Sequence, residues 1–337
     1  MHLVALVESL EHVCCRYRLR AFVSGLEAHG HTLEFQELPR GIARWRIGSG
    51  LGHADLVILQ RKMLPRWQLA LLRQRVRRLA FDFDDAVYQR DSYHRKGPQC
   101  LKLWPRFAAT MRAADIVVAG NSWLADRALD EGARAVRLIP TCIDVGKYRA
   151  SSHRQSGNLT LVWVGTASTI QGLARARPLL EHLGRSIPGL KLRFVCDSFL
   201  EFDHLQVEQV PWDETWEAEA IASADIGLSL LPDDDWSRGK CGLKVLQYLA
   251  SGLPVIGNPV GVTAELLGTR PGQEAGVLVD SPREWVEAIT LLSDPTTRLR
   301  MGGIGRRRVE QHYAIDMGLK AWLHVLDEIA QAGRIAG

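Results

Sequence analysis

The stretch LLPDDDWSRGKCGLKVLQYLASGLPVIGNP, from Leu230 to Pro259, decides the fold class. Apolar residues recur at helical spacing over residues 242–251, which predicts a helix. We expect this helix to be capped at Gly252, because glycine tolerates the left-handed conformation there and Pro254 prevents continuation. Residues 253–257 form a short apolar run that predicts the next strand. A helix that leads into a buried strand is typical of a parallel α/β sheet.

The charges around the start of the predicted helix are unusual. Arg238, Lys240 and Lys244 crowd a helix N-terminus, whose partial positive charge normally disfavours cations. A bound anion would remove this conflict, because free N–H groups and lysines would then share it. Gly239 and Gly242 would let a ligand approach the backbone closely. The alternative is that these basic residues are only solvated. Residues 232–239 are expected to form a loop.

Length and composition exclude several classes of protein. A chain of 337 residues suits two domains, and a net charge of +4 is too small to indicate a nucleic-acid-binding protein. None of the six cysteines has a partner at zinc-ligand spacing, so we expect reduced thiols and a cytoplasmic protein. The N-terminal residues lack the basic start of a signal peptide, and no apolar run approaches transmembrane length.

Strands and helices are expected to alternate along the whole chain. The predicted strands are residues 3–7, 32–38, 55–59, 79–83, 115–119, 135–139, 159–164, 191–196, 207–210, 225–231, 253–257 and 277–279. Residues 9–18 are expected to form a loop. This alternation predicts an α/β protein with two doubly wound, Rossmann-like domains that face a cleft.

The polar run ASSHRQSG at 150–157 is the expected linker. We therefore expect an N-terminal domain at 1–150 and a C-terminal domain at 151–313. Residues 314–337 are expected to form a closing helix that packs back on the N-terminal domain.

Polar residues follow several of the predicted strands, where ligands of parallel sheets bind. In the first domain these are Arg16, Arg18, Arg61, Asp82, Asp84, Asp85 and Asn121. The aspartates have three interpretations: metal ligands, a base or acceptor-orienting group, or caps of the next segment. In the second domain, the small residues Gly165 to Thr169 predict a turn whose N–H groups and hydroxyls bind phosphate.

The predicted helix over 66–78 has a basic face. Its outward arginines are Arg66, Arg73, Arg75, Arg77 and Arg78, with Trp45, Trp67 and Trp104 nearby in the sequence. Such a face is commonly only solvated. The functional alternative is weak contact with an anionic membrane surface, which would make the protein peripheral on the inner face of the cytoplasmic membrane.

Taken together, the motifs resemble those of the GT-B fold glycosyltransferases, and more closely the retaining family 4 (glycosyltransferase group 1). The resemblance is carried by GLKVLQYLASGLPVIGNPVG at 242–261, GVLVD at 276–280 and LLSDPTTRLRMGGIGRRRVEQHY at 291–313. It is also carried by RYR at 16–18, QRK at 60–62, FDFDDAV at 81–87, AGN at 119–121, IPTCIDVGKY at 139–148, WVGTAST at 163–169 and DIGLSLLPDDDWSRGKCGLK at 225–244.

This resemblance implies transfer of a sugar from a nucleotide-diphosphate sugar to an acceptor hydroxyl, with retention, in bacterial cell-surface polysaccharide or glycoconjugate synthesis. It also implies that the N-terminal domain at 1–150 binds the acceptor and that the C-terminal domain at 151–313 binds the nucleotide sugar. The acceptor would be a glycan, a lipid-linked molecule or another hydroxyl compound. The expected catalytic residues are Asp84, Asp85, Lys240 and Lys244. The expected donor-binding residues are Gly165, Thr166, Ser168, Thr169, Trp212, Gly239, Gly242, Leu243 and Gln247. Arg16, Arg18, Arg61 and Asn121 are expected at the acceptor site or cleft, with no metal or cofactor.

The chain also departs from the family pattern. The two family glutamates, spaced Glu-x7-Glu, are replaced by Gly239 and Gln247. Two alternatives therefore stay open: a nucleotide-sugar epimerase on the same fold, and a catalytically silent nucleotide-binding protein. A nicotinamide-dependent oxidoreductase is disfavoured, because the glycine run at 48–52 does not follow a strand.

Overall fold

A computed structural model describes residues 1–153 and 158–335, and it confirms the twelve predicted strands with small shifts at their ends. The strands are β1 (His2–Val7), β2 (Thr32–Glu37), β3 (Leu56–Gln60), β4 (Leu79–Phe83), β5 (Ile116–Ala119), β6 (Val136–Leu138), β7 (Thr160–Val164), β8 (Lys191–Cys196), β9 (Gln206–Pro211), β10 (Ile226–Ser229), β11 (Val255–Gly257) and β12 (Gly276–Leu278).

Helices connect these strands. They are α1 (Val13–Arg18), α2 (Val23–Ala28), α3 (Arg66–Arg75), α4 (Leu103–Ala113), α5 (Ser122–Asp130), α6 (Ile170–Arg175), α7 (Arg177–Ser186), α8 (Glu217–Ala222), α9 (Asp235–Arg238), α10 (Leu243–Ala250), α11 (Thr263–Leu267), α12 (Pro282–Leu291), α13 (Pro295–His312) and α14 (Ile315–Ile335). Short 3₁₀ helices cover Arg20–Phe22, Gly41–Arg46 and Val145–Lys147.

The first unit is built on a parallel sheet in the order β2-β1-β3-β4-β5-β6. Alternate residues of each strand pack on opposite faces of this sheet. Val57 and Phe81 face a core that includes residues of α3, α4 and α5. Ile58 faces the other core, which includes Trp322 of α14 together with residues of α1 and α2. The closing helix α14 is thus part of the first unit.

The second unit is built on a parallel sheet in the order β12-β11-β10-β7-β8-β9. Leu161, Phe194 and Ile256 from this sheet pack against Leu183 of α7 and Ile289 of α12. The chain winds outward in one direction through β8 and β9 and in the other through β11 and β12. The reversal falls between β7 and β10, where ligands of doubly wound sheets bind.

The chain divides into compact units at positions that differ from the expected ones. The first unit comprises Met1–Ile143, Asp234–Cys241 and α14, and the second comprises Asp144–Asp233 and Gly242–Ala314. Residues just before 150 join the second unit, since Arg306 Nη1 donates to the Tyr148 carbonyl at 2.8 Å. In the expected linker at 150–157, residues 154–157 lie outside the described part of the chain.

Two predicted loops contain helices that local capping explains. In the predicted 9–18 loop, the His12 side chain accepts from the Cys14 N–H and starts α1. In the predicted 232–239 loop, the Asp234 carboxylate accepts from the Ser237 N–H at 2.8 Å and starts α9. The helix predicted over 66–78 instead ends at Arg75, because Val76 has an extended backbone. The capping of α10 is as predicted: the Gly252 N–H donates to Leu249, with φ at 69°.

The six cysteines are free. Within residues 1–153 and 158–335, no helix combines the length and the apolar character needed to cross a bilayer.

Candidate functional site

A buried ion pair lies at the carboxyl end of the first sheet. Arg18 of α1 donates to the Asp82 carboxylate of β4, with Nη2 2.6 Å from Oδ1 and Nε 3.0 Å from the same oxygen. Gln60 Nε2 donates to Asp82 Oδ2 at 3.3 Å. Burial by itself would lower the pKa of Arg18, but the Asp82 charge outweighs it and raises that pKa. Arg18, predicted to face the acceptor, is only 2% exposed and holds β4 in place.

A second charge network follows directly after β4. The guanidinium of Arg61 spans two carboxylates, with Nη1 2.6 Å from Asp84 Oδ1 and Nη2 2.7 Å from Asp85 Oδ2. Lys240 Nζ lies 3.0 Å from the other Asp85 oxygen. Burial would raise the pKa of Asp84, but the charges of Arg61 and Arg18 outweigh it, so that pKa is lowered. Asp84 is therefore held as an anion.

Backbone strain marks the same network. Arg61 has φ at 56°, in the left-handed region that a residue with a long side chain seldom adopts. Its N–H donates to the Asp82 carbonyl at 2.8 Å, which fixes this conformation at the end of β3. Strained backbone of this kind persists where surrounding contacts enforce it and is concentrated at functional sites.

The segment Asp234–Cys241 completes the first unit, although it is distant from that unit in sequence. Asn121 Nδ2 donates to the carbonyls of Arg238 at 3.2 Å and Lys240 at 3.1 Å, and the Cys241 thiol lies 3.3 Å from the Asp84 carbonyl. A Cβ on Gly239 would lie 2.9 Å from the Ala86 nitrogen. The missing side chain of Gly239 is thus explained by this packing rather than by close approach of a ligand.

This placement corrects the expected geometry of Lys240. The sequence predicted that Lys240 and Lys244 crowd the same helix start, but α10 begins only at Leu243. Gly242, with φ at 69°, separates the two lysines, and Lys240 belongs to the first unit with Asp85. Arg16, also predicted for this site, lies with its guanidinium 5.5 Å from the Tyr17 ring centroid.

The aspartates after β4 are engaged by cations. In the described part of the chain, no group of three or more His, Cys, Asp or Glu side chains is arranged to hold a metal ion. Asn121 has a different local role, because its Oδ1 accepts from the Leu124 N–H at 2.9 Å and caps α5.

The second unit has a turn of small residues directly after β7, where the sequence predicted a phosphate-binding turn. The Thr166 N–H donates to Thr169 Oγ1 at 3.0 Å, and the Thr166 and Ser168 hydroxyls lie 2.9 Å apart. Gly165 is required by packing, since a Cβ there would lie 2.0 Å from the Trp163 ring. The turn therefore exposes hydroxyls at the reversal point of the sheet, directly beside an indole.

Lys244 joins this turn from the first turn of α10. Its Nζ lies 4.0 Å from the Trp163 ring centroid, a cation–π contact, and 3.5 Å from Thr169 Oγ1. The N-cap of α10 is Gly242, which has no side chain that could accept from the first N–H groups. A lysine at an N-terminus without a side-chain cap forms an electropositive site suited to an anion. Leu243 begins the helix next to it.

Glu217 of α8 contacts the next turn of α10, and the sequence did not predict it for this site. Gln247 is 2% exposed, and its Nε2 donates to Glu217 Oε2 at 2.9 Å and to the Tyr148 hydroxyl at 3.1 Å. The other oxygen of Glu217 accepts from Trp212 Nε1 at 2.8 Å. Glu217 thus connects two predicted donor-binding residues. The sequence signal was weak, because Glu217 lies at the start of an ordinary short helix.

Comparison with protein families is consistent with this arrangement. Residues 175–324, somewhat less than half of the chain, match the family model described as "Glycosyl transferase-like". Among protein sequences of curated function, none matches this chain.

Solved structures resemble the chain over nearly its whole length. Sucrose-phosphate synthase from Thermosynechococcus elongatus is 15% identical, with a TM-score of 0.77 over 98% of this chain and 100% of that chain. HepE from Anabaena, in complex with UDP and glucose, is 16% identical, with a TM-score of 0.68 over 97% and 100%. The pneumococcal O-GlcNAc transferase GtfA, in complex with UDP and GlcNAc, is 14% identical, with a TM-score of 0.61 over 86% and 60%.

The fold follows from these likenesses. Two parallel six-stranded sheets with alternating helices match the two Rossmann-like domains of the GT-B glycosyltransferase fold. The expectation of an α/β protein with two doubly wound domains is confirmed.

Proposed function

We propose that this protein is a retaining glycosyltransferase of family 4, which moves a sugar from a nucleotide-diphosphate sugar to an acceptor hydroxyl. The observation that carries the proposal is Lys244, held over Trp163 beside the hydroxyl turn Gly165 to Thr169. The match of residues 175–324 to a glycosyl transferase-like family supports it. So do the UDP and sugar named for the similarly folded HepE and GtfA structures.

In this proposal the second unit binds the donor. Lys244 and the turn bind the diphosphate, whose oxygens accept charge-assisted hydrogen bonds from the ammonium group and the hydroxyls. The barrier to transfer is mostly charge separation, since the diphosphate leaves while the sugar develops positive charge. A preorganised cation on the leaving group stabilises that transition state. The Trp163 ring fixes the lysine before the donor arrives.

The nucleoside is assigned to Gln247, one turn after Lys244 in α10, and to the residues around it. Trp212, which is 41% exposed, is proposed to flank the base, and Gln247 to position the ribose through the carboxylate of Glu217. In this proposal Glu217 supplies the hydrogen-bond acceptor for a ribose hydroxyl, in place of the family glutamate that is absent at Gln247. Gly242 and Leu243 supply the backbone N-terminus of α10.

The first unit is proposed to bind the acceptor. Asp84 and Asp85 orient the acceptor hydroxyl or stabilise developing positive charge, and Arg61 and Lys240 fix the two carboxylates. No metal and no cofactor is required in this scheme. We further propose a role in bacterial cell-surface polysaccharide or glycoconjugate synthesis, in the cytoplasm.

A donor screen tests the proposal. The purified protein is incubated with a panel of nucleotide sugars, with UDP-sugars first, and products are measured by mass spectrometry with and without candidate acceptors. We expect release of nucleoside diphosphate that is accelerated by a hydroxyl acceptor, and an α or β product linkage, read by NMR, that matches the donor. Conversion of one nucleotide sugar into its epimer would instead show an epimerase. Binding of nucleotide without turnover of any donor would show a silent binding protein.

The role of the aspartates is tested separately. Asp84→Asn and Asp85→Asn are expected to lower turnover at least tenfold, because each removes a charge that orients the acceptor (about 1.4 kcal/mol). The nucleotide affinity of both variants should stay close to that of the wild type, since these residues belong to the first unit. Wild-type turnover in both variants would remove them from the mechanism, and loss of wild-type activity on chelation would restore the metal interpretation.

A further inference from the structure

The 3₁₀ helix Gly41–Arg46 of the first unit exposes all of its residues. Ile42 is 93% exposed and Trp45 64% exposed. Trp67, at the start of α3, lies against Trp45 with ring centroids 4.4 Å apart. Isolated exposed apolar residues are ordinary, but two exposed tryptophans in ring contact, one from the 3₁₀ helix and one from α3, form with Ile42 an apolar patch that calls for a partner.

Hydrogen bonds from α3 to main-chain carbonyls hold this 3₁₀ helix in place. Arg75 Nη1 donates to the carbonyls of Trp45 at 2.8 Å and Ile47 at 2.7 Å. Gln68 Nε2 donates to the Arg44 carbonyl at 3.4 Å. Side chains of α3 therefore hold the main chain, while the side chains of the 3₁₀ helix point outward. The patch is presented by a fixed element.

The contacts of Arg75 also revise the basic surface predicted from the sequence. Arg73 pairs with Asp115 at 3.2 Å, and Arg78 lies 3.9 Å from the same residue. These three arginines are therefore engaged inside the unit rather than available to a partner. The exposed arginines next to the tryptophan pair in sequence are instead Arg44, Arg46 and Arg66.

The sequence around this 3₁₀ helix is strongly basic. Between Pro39 and Phe81 the sequence contains nine arginines and one lysine, and Asp55 is its single acidic residue. Asp55 is also engaged, since its carboxylate accepts from the His2 N–H at 2.7 Å. An apolar patch flanked by arginines is complementary to a partner that has an anionic surface and an apolar interior.

We propose that Ile42, Trp45 and Trp67, with Arg44, Arg46 and Arg66, form a docking surface for an anionic phospholipid bilayer. Tryptophan sits at the level of lipid headgroups, and isoleucine inserts at the acyl boundary. Each arginine near an anionic membrane contributes about 1 kcal/mol, which corresponds to roughly fivefold in partitioning. This surface is defined independently of the proposed catalytic activity.

Two other occupants fit the surface less well. A second copy of the chain in a symmetric dimer would place these arginines near their own copies, which is unfavourable. A nucleic acid would use the arginines and open aromatic faces, but the tryptophan rings pack against each other and Ile42 has no role there.

Vesicle flotation of the full chain tests the proposal. The probes are phosphatidylcholine vesicles with and without phosphatidylglycerol, at about 0.1 M and about 1 M salt, where the Debye length falls from ~10 Å to ~3 Å. We expect binding only to the anionic vesicles and loss of that binding at high salt. Trp45→Ala should weaken it at least fivefold, and Arg44→Gln with Arg46→Gln roughly 25-fold.

Matched variants elsewhere make the result interpretable. Leu299 and Arg300 are exposed neighbours in α13 of the second unit, so Leu299→Ala with Arg300→Gln should bind vesicles as the wild type does. Melting temperatures verify that the variants fold. Equal binding to neutral and anionic vesicles would overturn the proposal, as would unchanged binding in both surface variants. Dimerisation in analytical ultracentrifugation that Trp45→Ala abolishes would assign the patch to a second copy instead.

Discussion

Cations at the carboxyl ends of the two sheets are held in different ways. In the first unit Arg18 and Arg61 meet carboxylates within 2.7 Å, and Lys240 meets Asp85 at 3.0 Å. In the second unit Lys244 Nζ lies 4.0 Å from the Trp163 ring centroid and 3.5 Å from the Thr169 hydroxyl. A cation matched by carboxylates fixes the shape of a site. A cation beside a hydroxyl turn and a helix start without a side-chain cap can bind an anionic ligand together with them.

The helix starts show the same contrast. Asn121 caps α5 with its own side chain, whereas α10 begins at Gly242, which cannot do so. The first unit thus caps this helix start with its own side chain, and the second presents an electropositive helix start beside Lys244. This difference is the reason why we propose that the second unit binds the anionic donor.

The largest expected effect comes from breaking the internal pairing of the first unit. Asp82→Asn leaves the buried Arg18 without a carboxylate, which should lower the free energy of unfolding by about 3–5 kcal/mol. Urea denaturation measures this loss. Glu287→Gln, which breaks the exposed pair with Arg283, is the control and should cost no more than about 0.5 kcal/mol. Equal, small losses in both variants would show that the Arg18–Asp82 pair does not hold the first unit.

A smaller effect is expected when the contact between Lys244 and the Trp163 ring is disturbed. Gly165→Ala places a Cβ against the Trp163 ring, so the ring or the turn must move, at a cost of about 1–3 kcal/mol. Affinity for UDP should fall as well, because the ring that supports Lys244 is displaced. Gly303→Ala within α13, where a Cβ would lie 3.5 Å from an Arg307 nitrogen, is the control and should not destabilise the protein. Unchanged stability and UDP affinity in Gly165→Ala would contradict the role of this contact.

The smallest effect is expected at Glu217. Glu217→Gln retains the shape but replaces one accepting oxygen by a donor, which conflicts with either Gln247 or Trp212 and should cost about 1 kcal/mol of unfolding free energy. Calorimetry should also show weaker UDP binding, since both predicted nucleoside-binding residues lose their common partner. Glu219→Gln, on an exposed residue of the same helix, should change neither quantity. A Glu217→Gln variant with wild-type UDP affinity would limit this carboxylate to folding.

The sequence predicted the strands because buried parallel strands are short apolar runs with clear turn residues between them. It did not predict α1 and α9, since each depends on a single cap, His12 or Asp234, in a polar segment. Lys240 belongs to the first unit because of tertiary contacts with Asn121 and Asp85, which are distant from it in the sequence. Glu217 was missed for the same reason, because only packing reveals that it joins Gln247 to Trp212.

The central claim is that Lys244 binds the diphosphate of the donor. Isothermal titration calorimetry of UDP and of uridine into wild type, Lys244→Ala and Lys240→Ala tests it most directly. We expect Lys244→Ala to weaken UDP binding at least tenfold, equivalent to ~1.4 kcal/mol, to leave uridine binding unchanged and to melt no lower than the wild type without ligand. Lys240→Ala, in the first unit, should have a smaller effect on UDP. If Lys244→Ala binds UDP normally and unfolds more easily, the lysine is structural and the donor site lies elsewhere.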